Sequence, residues 1–146
     1  MSAPVFVDSN VLIYWVDGDD PEKQRIAALW IEELWRSRSG RISFQVLQEF
    51  FYAATRRKPD MAEPIRAEVR SLLAWHPVSP DGALLERAWK VQDRYRLSFW
   101  DALIVAAAKA AQCGWLLTED LQADQDLDGI VVVNPFTRMP DELLIP

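Results

Sequence analysis

The sequence predicts an α/β fold, a three-layer α/β/α sandwich with a central parallel sheet. Short apolar runs with the character of buried strands alternate with longer helical runs along the chain. Two or more helices separate some of these runs, and crossovers of that kind join parallel strands of one sheet. Half of the residues are apolar, which allows a sizeable core, and the 146 residues are predicted to form a single domain over 1–146.

The first half of the chain contains two predicted strands and three predicted helices. Val5–Val7 is short, apolar and β-branched, as buried strands are. The runs that follow end at turn signals, which are an acidic turn before Pro21, then Gly40, then the pair Lys58-Pro59. In order, these runs are helix Asn10–Val16, helix Glu22–Ser37, a second strand at Arg41–Ser43, and helix Phe44–Arg57.

The second half contains three predicted helices and three predicted strands. In order, they are helix Ala62–Trp75, a short strand at His76–Ser79, helix Asp81–Arg96, helix Phe99–Cys113, strand Trp115–Thr118 and strand Ile130–Val133. Gly114 is predicted to be the C-terminal cap of the last helix, because helices commonly end on a glycine in the left-handed conformation. Strands and helices therefore alternate to the end of the chain.

The composition predicts a soluble protein of the cytoplasm. Cys113 is the only cysteine, so no internal disulfide can form and a reducing compartment is expected. Residues 1–8 lack the basic start and long apolar run of a signal peptide. The longest apolar helical segment, Leu103–Ala111, is interrupted by Lys109 and is far shorter than the roughly 20 residues that span a bilayer. We therefore expect no membrane partner.

Four acidic residues, Asp8, Glu49, Asp101 and Asp120, lie where apolar elements begin or end. Asp8 and Asp120 follow strands, and open α/β sheets place their sites at the carboxyl ends of strands. Asp101 lies at the start of a buried helix, where an acid is costly unless it is paired or metal-bound. Ligand sets made only of oxygen select a hard ion, Mg²⁺ or Mn²⁺. The pattern indicates metal-assisted chemistry on phosphates.

Each acid also has a structural explanation, and both interpretations stay open for the single residue. Asp8 fits the N-cap of the next helix, and Asp101 fits the third position of a capping box that starts at Ser98. Glu49 lies beside the apolar face of its helix, where it can reach water. Acids such as Asp120 are common in turns. The four together carry more information than any one of them.

Five segments resemble the PIN-domain family, of the VapC toxin type, and they cover nearly the whole chain in order. They are Val5–Tyr14 (VFVDSNVLIY), Ser43–Phe50 (SFQVLQEF), Leu97–Ala108 (LSFWDALIVAAA), Leu117–Gln122 (LTEDLQ) and Val133–Phe136 (VNPF). The resemblance implies a parallel sheet in an α/β/α sandwich. It also implies an endoribonuclease that depends on Mg²⁺ or Mn²⁺, and a homodimer inhibited by a small VapB-like antitoxin protein.

The resemblance implies site roles by motif. The acidic positions fall on Asp8, Glu49, Asp101 and Asp120, and the assisting polar positions fall on Asn10 and Thr118. Asp8 and Asp101 are the expected direct metal ligands, and Asp120 and Glu49 would complete the shell through water or hold a second ion. An ion held there would acidify the attacking water and offset charge on the phosphate. The family chemistry implies RNA products with a 5′-phosphate and a 3′-hydroxyl.

The charge of the chain bears on the RNA substrate. The net charge of −6 works against nucleic-acid binding, although a bound cation would reverse the local sign. Arg56, Arg57 and Lys58 are either a weak candidate contact to flanking phosphates or a solvated face. Many relatives have a glycine after the last acid, whereas this chain has Asp124 nearby. Asp124 is either an outer ligand or an obstacle to RNA.

Helix Glu22–Ser37 has a wider apolar surface than packing on one side requires. Its apolar residues cover well over half of the circumference, whereas a helix packed on one side shows a stripe of about 100°. The excess predicts a second contact, either with a dimer mate or with an antitoxin helix. Ile31→Glu or Trp35→Glu is expected to disrupt that assembly.

Other functions are weighed against the nuclease. A haloacid-dehalogenase-type phosphatase requires Asp-x-Asp, and this chain has Asp8-Ser9-Asn10. A receiver domain requires a lysine at a late strand end, and no lysine lies there. The alternative of a different class is a non-catalytic PIN-like module that binds RNA or protein. The presence of all four acids favours the enzyme.

Overall fold

The computed structural model describes residues 3–144, which contain one five-stranded sheet and six α-helices. The strands are β1 (Val5–Val7), β2 (Gly40–Arg41), β3 (Trp115–Leu117), β4 (Asp126–Leu127) and β5 (Ile130–Val133). The helices are α1 (Ser9–Val16), α2 (Pro21–Ser37), α3 (Phe44–Arg57), α4 (Ala62–Leu72), α5 (Gly82–Tyr95) and α6 (Phe99–Ala110). Short 3₁₀ turns lie at Pro59–Met61, Leu73–Trp75 and Pro140–Glu142.

The sheet has the order β2-β1-β3-β5-β4 and is mostly parallel. The pairs β1–β2, β1–β3 and β3–β5 are parallel, and β4 runs antiparallel to β5 at one edge. Helices α1 to α4 pack against one another, α5 pairs with α6, and the sheet lies between the two groups. The predicted α/β/α sandwich is confirmed. No helix within residues 3–144 has the length and apolar character needed to cross a bilayer.

The core forms where the central strands meet α2 and α6. All three residues of β1 are fully buried, as the continuous apolar run predicts. Trp30 of α2 is also fully buried, and its indole N–H donates to the Pro135 carbonyl at 3.0 Å. Ile31 is only 2% exposed and packs in the core, so it offers no surface to a partner, and the effect of Ile31→Glu on assembly stays a prediction. Trp35 is 37% exposed and lies against the Trp75 ring, with centroids 5.2 Å apart.

Several element boundaries were predicted correctly. Those of β1, α3 and β5 agree with the structure, and those of α2, α5 and β3 differ by one residue at one or both ends. Helix α1 begins at Ser9 rather than Asn10, because Asp8 caps it. The predicted helix Ala62–Trp75 is divided into α4 and the 3₁₀ turn that follows it.

Two predicted strands require correction. The second strand is Gly40–Arg41 rather than Arg41–Ser43, because Ser43 turns out of the sheet to cap α3. His76–Ser79 is not one of the described strands, because His76 adopts a left-handed φ of 54° and only Val78 forms a bridge, to Ser43.

The end of α6 also differs from the prediction. The helix stops at Ala110, and Gln112 rather than Gly114 adopts the left-handed conformation, with φ of 59°. Gly114 has a different reason to be glycine, since a Cβ there would lie 2.7 Å from the Cβ of Ala3. The predicted glycine cap is therefore wrong, and close packing at the start of β3 explains the residue.

Candidate active site

The carboxyl ends of β1 and β3 bring Asp8 and Thr118 into contact. The strands pair in parallel, with Val7 opposite Leu117, and the Asp8 N–H donates to the Leu117 carbonyl at 3.1 Å. One residue later, the Thr118 hydroxyl donates to Asp8 Oδ2 at 2.9 Å. Asp8 is 7% exposed and Thr118 is fully buried. The register of the sheet therefore sets the first contact of the site.

Asp8 is both the N-cap of α1 and part of this site. Its Oδ1 accepts from the Ser9 N–H at 2.7 Å, which confirms the capping interpretation. A carboxylate has about four acceptor positions, so the cap and the Thr118 contact leave positions free for a ligand. Burial, with smaller contributions from the charges of Asp120 and Glu49, raises the pKa of Asp8 from 3.8 to about 6, although the hydrogen bonds from Thr118 and Ser9 oppose the shift. A bound cation would remove this penalty.

Asn10 and Thr118 hold Asp120 next to Asp8. The Asn10 amide donates to Thr118 Oγ1 at 2.9 Å and to Asp120 Oδ2 at 3.1 Å. The Asp120 N–H donates to Thr118 Oγ1 at 3.1 Å, and the Glu119 N–H donates to Asn10 Oδ1 at 3.3 Å. Partial burial raises the pKa of Asp120, and the charges of Glu119 and Asp101 act in the same direction. The two predicted assisting residues therefore order two of the four acids.

Glu49 and Asp101 approach the same site from α3 and α6. Asp101 lies in the first turn of α6, and its N–H donates to Ser98 Oγ at 3.1 Å, so this capping interpretation is also confirmed. Glu49 lies on the exposed side of α3. Partial burial raises the pKa of Glu49, and the charges of Asp101 and Asp120 raise it further. The mutual effect of these charges indicates that all four acids share one electrostatic site.

The donor chemistry of the site fits a hard divalent cation, although the acids do not form a preformed cage. Within residues 3–144, no three acids, histidines or cysteines converge as a complete ligand group. Like charges repel, so full convergence of carboxylates requires a cation. The only histidine, His76, lies beside Gly40 at the start of β2, and the buried Cys113 thiol has its pKa raised to about 12 by burial. Oxygen ligands therefore dominate the site, as Mg²⁺ and Mn²⁺ prefer.

The predicted phosphate contacts lie away from the acids. Arg57 and Lys58 are about 12 Å along α3 from Glu49, at 1.5 Å per residue. Arg57 Nη1 lies 2.5 Å from Asp17 Oδ2, and Lys58 Nζ lies 3.1 Å from Asp19 Oδ1, so both tie α3 to the loop after α1. Arg56 donates to the hydroxyl of the exposed Tyr52 at 2.9 Å. The role of these residues in phosphate binding stays a prediction.

The structure adds a cation that the sequence did not indicate. Lys23 Nζ lies 2.9 Å from Glu119 Oε2, and it sits 4.5 Å from the Tyr14 ring centroid and 4.7 Å from that of Phe136. Lys23 is 96 residues from Glu119 in sequence, so no spacing rule points to the pair. It neutralises Glu119, the acid next to Asp120, whereas none of the salt bridges within residues 3–144 involves the four site acids.

Asp124, the extra acid in the loop after Asp120, is engaged elsewhere. It adopts a left-handed φ of 68°, and its N–H donates to the Val132 carbonyl at 2.8 Å. Its Oδ1 lies 3.7 Å from Arg138 Nη1. Arg138 therefore offsets part of the charge that Asp124 adds to this edge of the molecule.

Known proteins share this fold. Residues 5–125 match the family model described as PIN domain. A chain of a toxin–antitoxin complex from Klebsiella pneumoniae has 24% identity and a TM-score of 0.66, over 90% of this chain and 97% of that one. The Mycobacterium tuberculosis toxin VapC20, which cleaves the sarcin–ricin loop, has 22% identity and a TM-score of 0.60, over 77% and 86%. A chain of FitAB bound to a DNA fragment has 16% identity and a TM-score of 0.69, over 90% and 95%. No curated protein matches the sequence.

Proposed function

Because the chain belongs to the PIN domain family, we propose that it is an endoribonuclease that depends on Mg²⁺ or Mn²⁺ and acts as the toxin of a type II toxin–antitoxin pair. The observation that carries this proposal is the meeting of four acids from β1, α3, α6 and the end of β3, two of them ordered by Asn10 and Thr118. We take residues 1–146 to act as one domain in the cytoplasm, where a chain with a single cysteine fits.

In this proposal the residues of the site have different roles. Asp8 and Asp101 hold the cation, and Glu49 and Asp120 complete its surroundings. A divalent cation in this position supplies Lewis acidity toward a phosphodiester and lowers the pKa of a nearby water. Thr118 fixes one oxygen of Asp8, which orients the other positions of the carboxylate toward the site. A cation held by these acids would supply the acidification of water that a histidine base provides in other sites.

Cleavage of a defined panel of transfer and ribosomal RNAs tests the proposal. We expect discrete cuts with Mg²⁺ or Mn²⁺, and 5′-phosphate products. EDTA and the double substitution Asp8→Ala, Asp101→Ala should each abolish cleavage, while circular dichroism shows that the variant stays folded. Asp128→Asn, at an acid outside the site, is the matched control and should cut normally.

Two outcomes would contradict the proposal in different ways. Full activity of the double variant would refute the site assignment. If folded protein free of antitoxin cut no RNA with either metal, the proposal would give way to a non-catalytic PIN-like module that binds RNA or protein.

We also propose that the protein forms a homodimer and binds a VapB-like antitoxin. The exposed part of α2 supports a contact there, because Trp35 is accessible next to the Trp75 ring. Trp35→Glu should weaken self-association or antitoxin binding in sedimentation experiments while metal binding persists. Unchanged assembly of this variant would exclude the surface of α2 around Trp35 as the interface.

A further inference from the structure

An apolar pocket of about 170 Å³ lies among α3, α5 and α6. The side chains that mainly line it are Trp100, Leu84, Leu103, Pro80, Gln45 and Gln48. Its walls are thus mostly apolar, with two amide side chains on one side. Pockets for drug-sized ligands measure about 300–1,000 Å³, so this one fits a smaller group.

Three residues of the pocket wall lie close to the acids along the chain, and one of them contacts Glu49. Trp100 directly precedes Asp101 at the start of α6, and Gln48 directly precedes Glu49 on α3. Gln45 lies one turn before Glu49, hydrogen-bonds its carboxylate, and donates to the Trp100 carbonyl at 3.5 Å. A group in the pocket would therefore lie next to whatever the acids bind.

Trp100 is the most exposed of the large apolar side chains in the described range, at 63%. Its ring meets the Phe99 ring edge to face, with centroids 5.2 Å apart, and leaves much of its surface to solvent. Single exposed apolar residues are normal on protein surfaces. This one differs because it borders both a pocket and the acids.

We infer that this pocket binds one unpaired nucleobase of the RNA substrate, next to the cleaved phosphodiester. Proteins that bind single strands stack bases on exposed aromatic rings, and Trp100 offers such a ring. The Gln48 amide carries both donors and an acceptor, and Gln45 keeps its acceptor oxygen while its N–H groups serve Trp100 and Glu49, which suits the edge of a base. The inference rests on the proposed ribonuclease function and adds a residue that selects the substrate.

The charge of the protein makes base binding important. Contacts to phosphates normally supply a large part of nucleic-acid affinity, and they weaken steeply with salt. A chain with a net charge of −6 gains less affinity from contacts to phosphates. Stacking on Trp100 involves a neutral ring and a neutral base, so its contribution should persist at high salt.

Binding of short RNAs to Trp100→Ala tests the inference. The probes are fluorescein-labelled single-stranded decamers of adenine, uracil or cytosine nucleotides, followed by anisotropy with calcium and with EDTA. Loss of one stacked base is expected to weaken binding by about 5- to 100-fold, and the loss should persist at high salt. Trp89→Ala, at a tryptophan of α5 that is 44% exposed and does not line the pocket, should bind normally.

An abasic scan shows whether a base is the group recognised. One nucleotide of the decamer at a time is replaced by an abasic nucleotide. Where the replaced base is the one that occupies the pocket, the unaltered protein should bind more weakly, whereas the affinity of Trp100→Ala should not fall further. Gln48→Ala is a second variant, at an exposed position, and should change the ranking of the three decamers.

Three results would overturn the inference. The first is that Trp100→Ala binds the decamers with an affinity within twofold of the unaltered protein. The second is that an abasic nucleotide weakens the binding of both proteins equally. The third is that sedimentation shows Trp100→Ala to have lost a dimer, and that this loss explains its weaker binding. The last would assign the surface to a second copy of the chain. Each leaves the proposed ribonuclease in place, whereas an unaltered protein that neither binds nor cuts RNA would refute that function itself.

Discussion

Two acidic regions of the molecule are built in opposite ways. At the active-site edge, burial and neighbouring acids raise the pKa of Asp8 from 3.8 to about 6. Between β4 and β5, Asp128 accepts from the Tyr95 hydroxyl at 2.8 Å and pairs with Arg94 at 3.0 Å and Lys109 at 3.4 Å. The Tyr95 hydrogen bond, aided by the two cations, lowers the pKa of Asp128.

The difference separates an acid that is paired with cations from acids that the proposed function assigns to a metal ion. Within residues 3–144, none of the four site acids forms a salt bridge with a lysine or arginine. Asp128, in contrast, pairs with two basic side chains, Arg94 and Lys109. Acids that lie together without cations lower stability, and sites of chemistry are where proteins tolerate this. Three substitutions and one change of metal content test this contrast.

Thr118→Val should have the largest effect on stability. The buried hydroxyl donates to Asp8 and accepts from the Asn10 amide and the Asp120 N–H. Valine keeps the shape but leaves these polar groups without their partner, at about 1–3 kcal/mol for each group that water cannot reach. We expect a loss of about 2–4 kcal/mol in urea unfolding. Thr118→Ser keeps the hydroxyl and should lose only about 1 kcal/mol, so equal losses would contradict the proposed network.

Divalent metal should stabilise the protein through the same acids. At ten to a hundred times the Kd, a ligand that binds only the folded state stabilises it by about 1.4–2.7 kcal/mol. We therefore expect Mg²⁺ or Mn²⁺ to raise the Tm relative to EDTA. The gain should vanish in the double variant Asp8→Asn, Asp101→Asn and persist in Asp128→Asn. An equal gain in all three proteins would place the metal elsewhere.

The placement of the acids was predictable because its signals are local. Asp8 and Asp120 follow apolar strands, and Asp101 follows a capping serine, so each lies at an element boundary that the sequence marks. Capping and metal binding were posed as alternatives, although Asp8 caps α1 with one oxygen and meets Thr118 with the other. Sequence alone does not show that the cap leaves acceptor positions free on the same carboxylate, and metal binding by Asp8 stays a prediction.

The features that escaped prediction depend on distant or very short segments. Strand β4 has two residues, too few to show a periodic pattern. The Lys23–Glu119 pair joins residues 96 positions apart. On α2, the breadth of the apolar surface was visible, but it did not distinguish the buried Ile31 from the accessible Trp35. Each of these three features depends on tertiary packing, which the local sequence does not show.

Asp8→Asn should stabilise the metal-free protein at neutral pH. Folded Asp8 has a pKa of about 6 against 3.8 unfolded, so the folded state holds the proton more tightly. Stability from this group is therefore full below about pH 4 and is lost as the pH rises through about 6. Asparagine does not titrate, so its advantage should appear across that window and reach about 1–2 kcal/mol, net of one lost hydrogen bond. Urea unfolding in EDTA at low and neutral pH measures it, and no gain at neutral pH would contradict the burial penalty.

Asp128→Asn should change stability least, and in the opposite direction. Asparagine tolerates the left-handed φ of 57° at this position and can still accept from Tyr95, so the main loss is of two partly exposed ion pairs. We expect a loss of about 0.5–1 kcal/mol at neutral pH, smaller at high salt. The pKa of Asp128 is lowered, so its stabilisation is present above pH 3.8 and disappears as the pH falls through the folded pKa. The same change of acid to amide should thus stabilise the molecule at Asp8 and destabilise it at Asp128. Shifts of equal sign at neutral pH in urea unfolding would refute the division of the acids into two kinds.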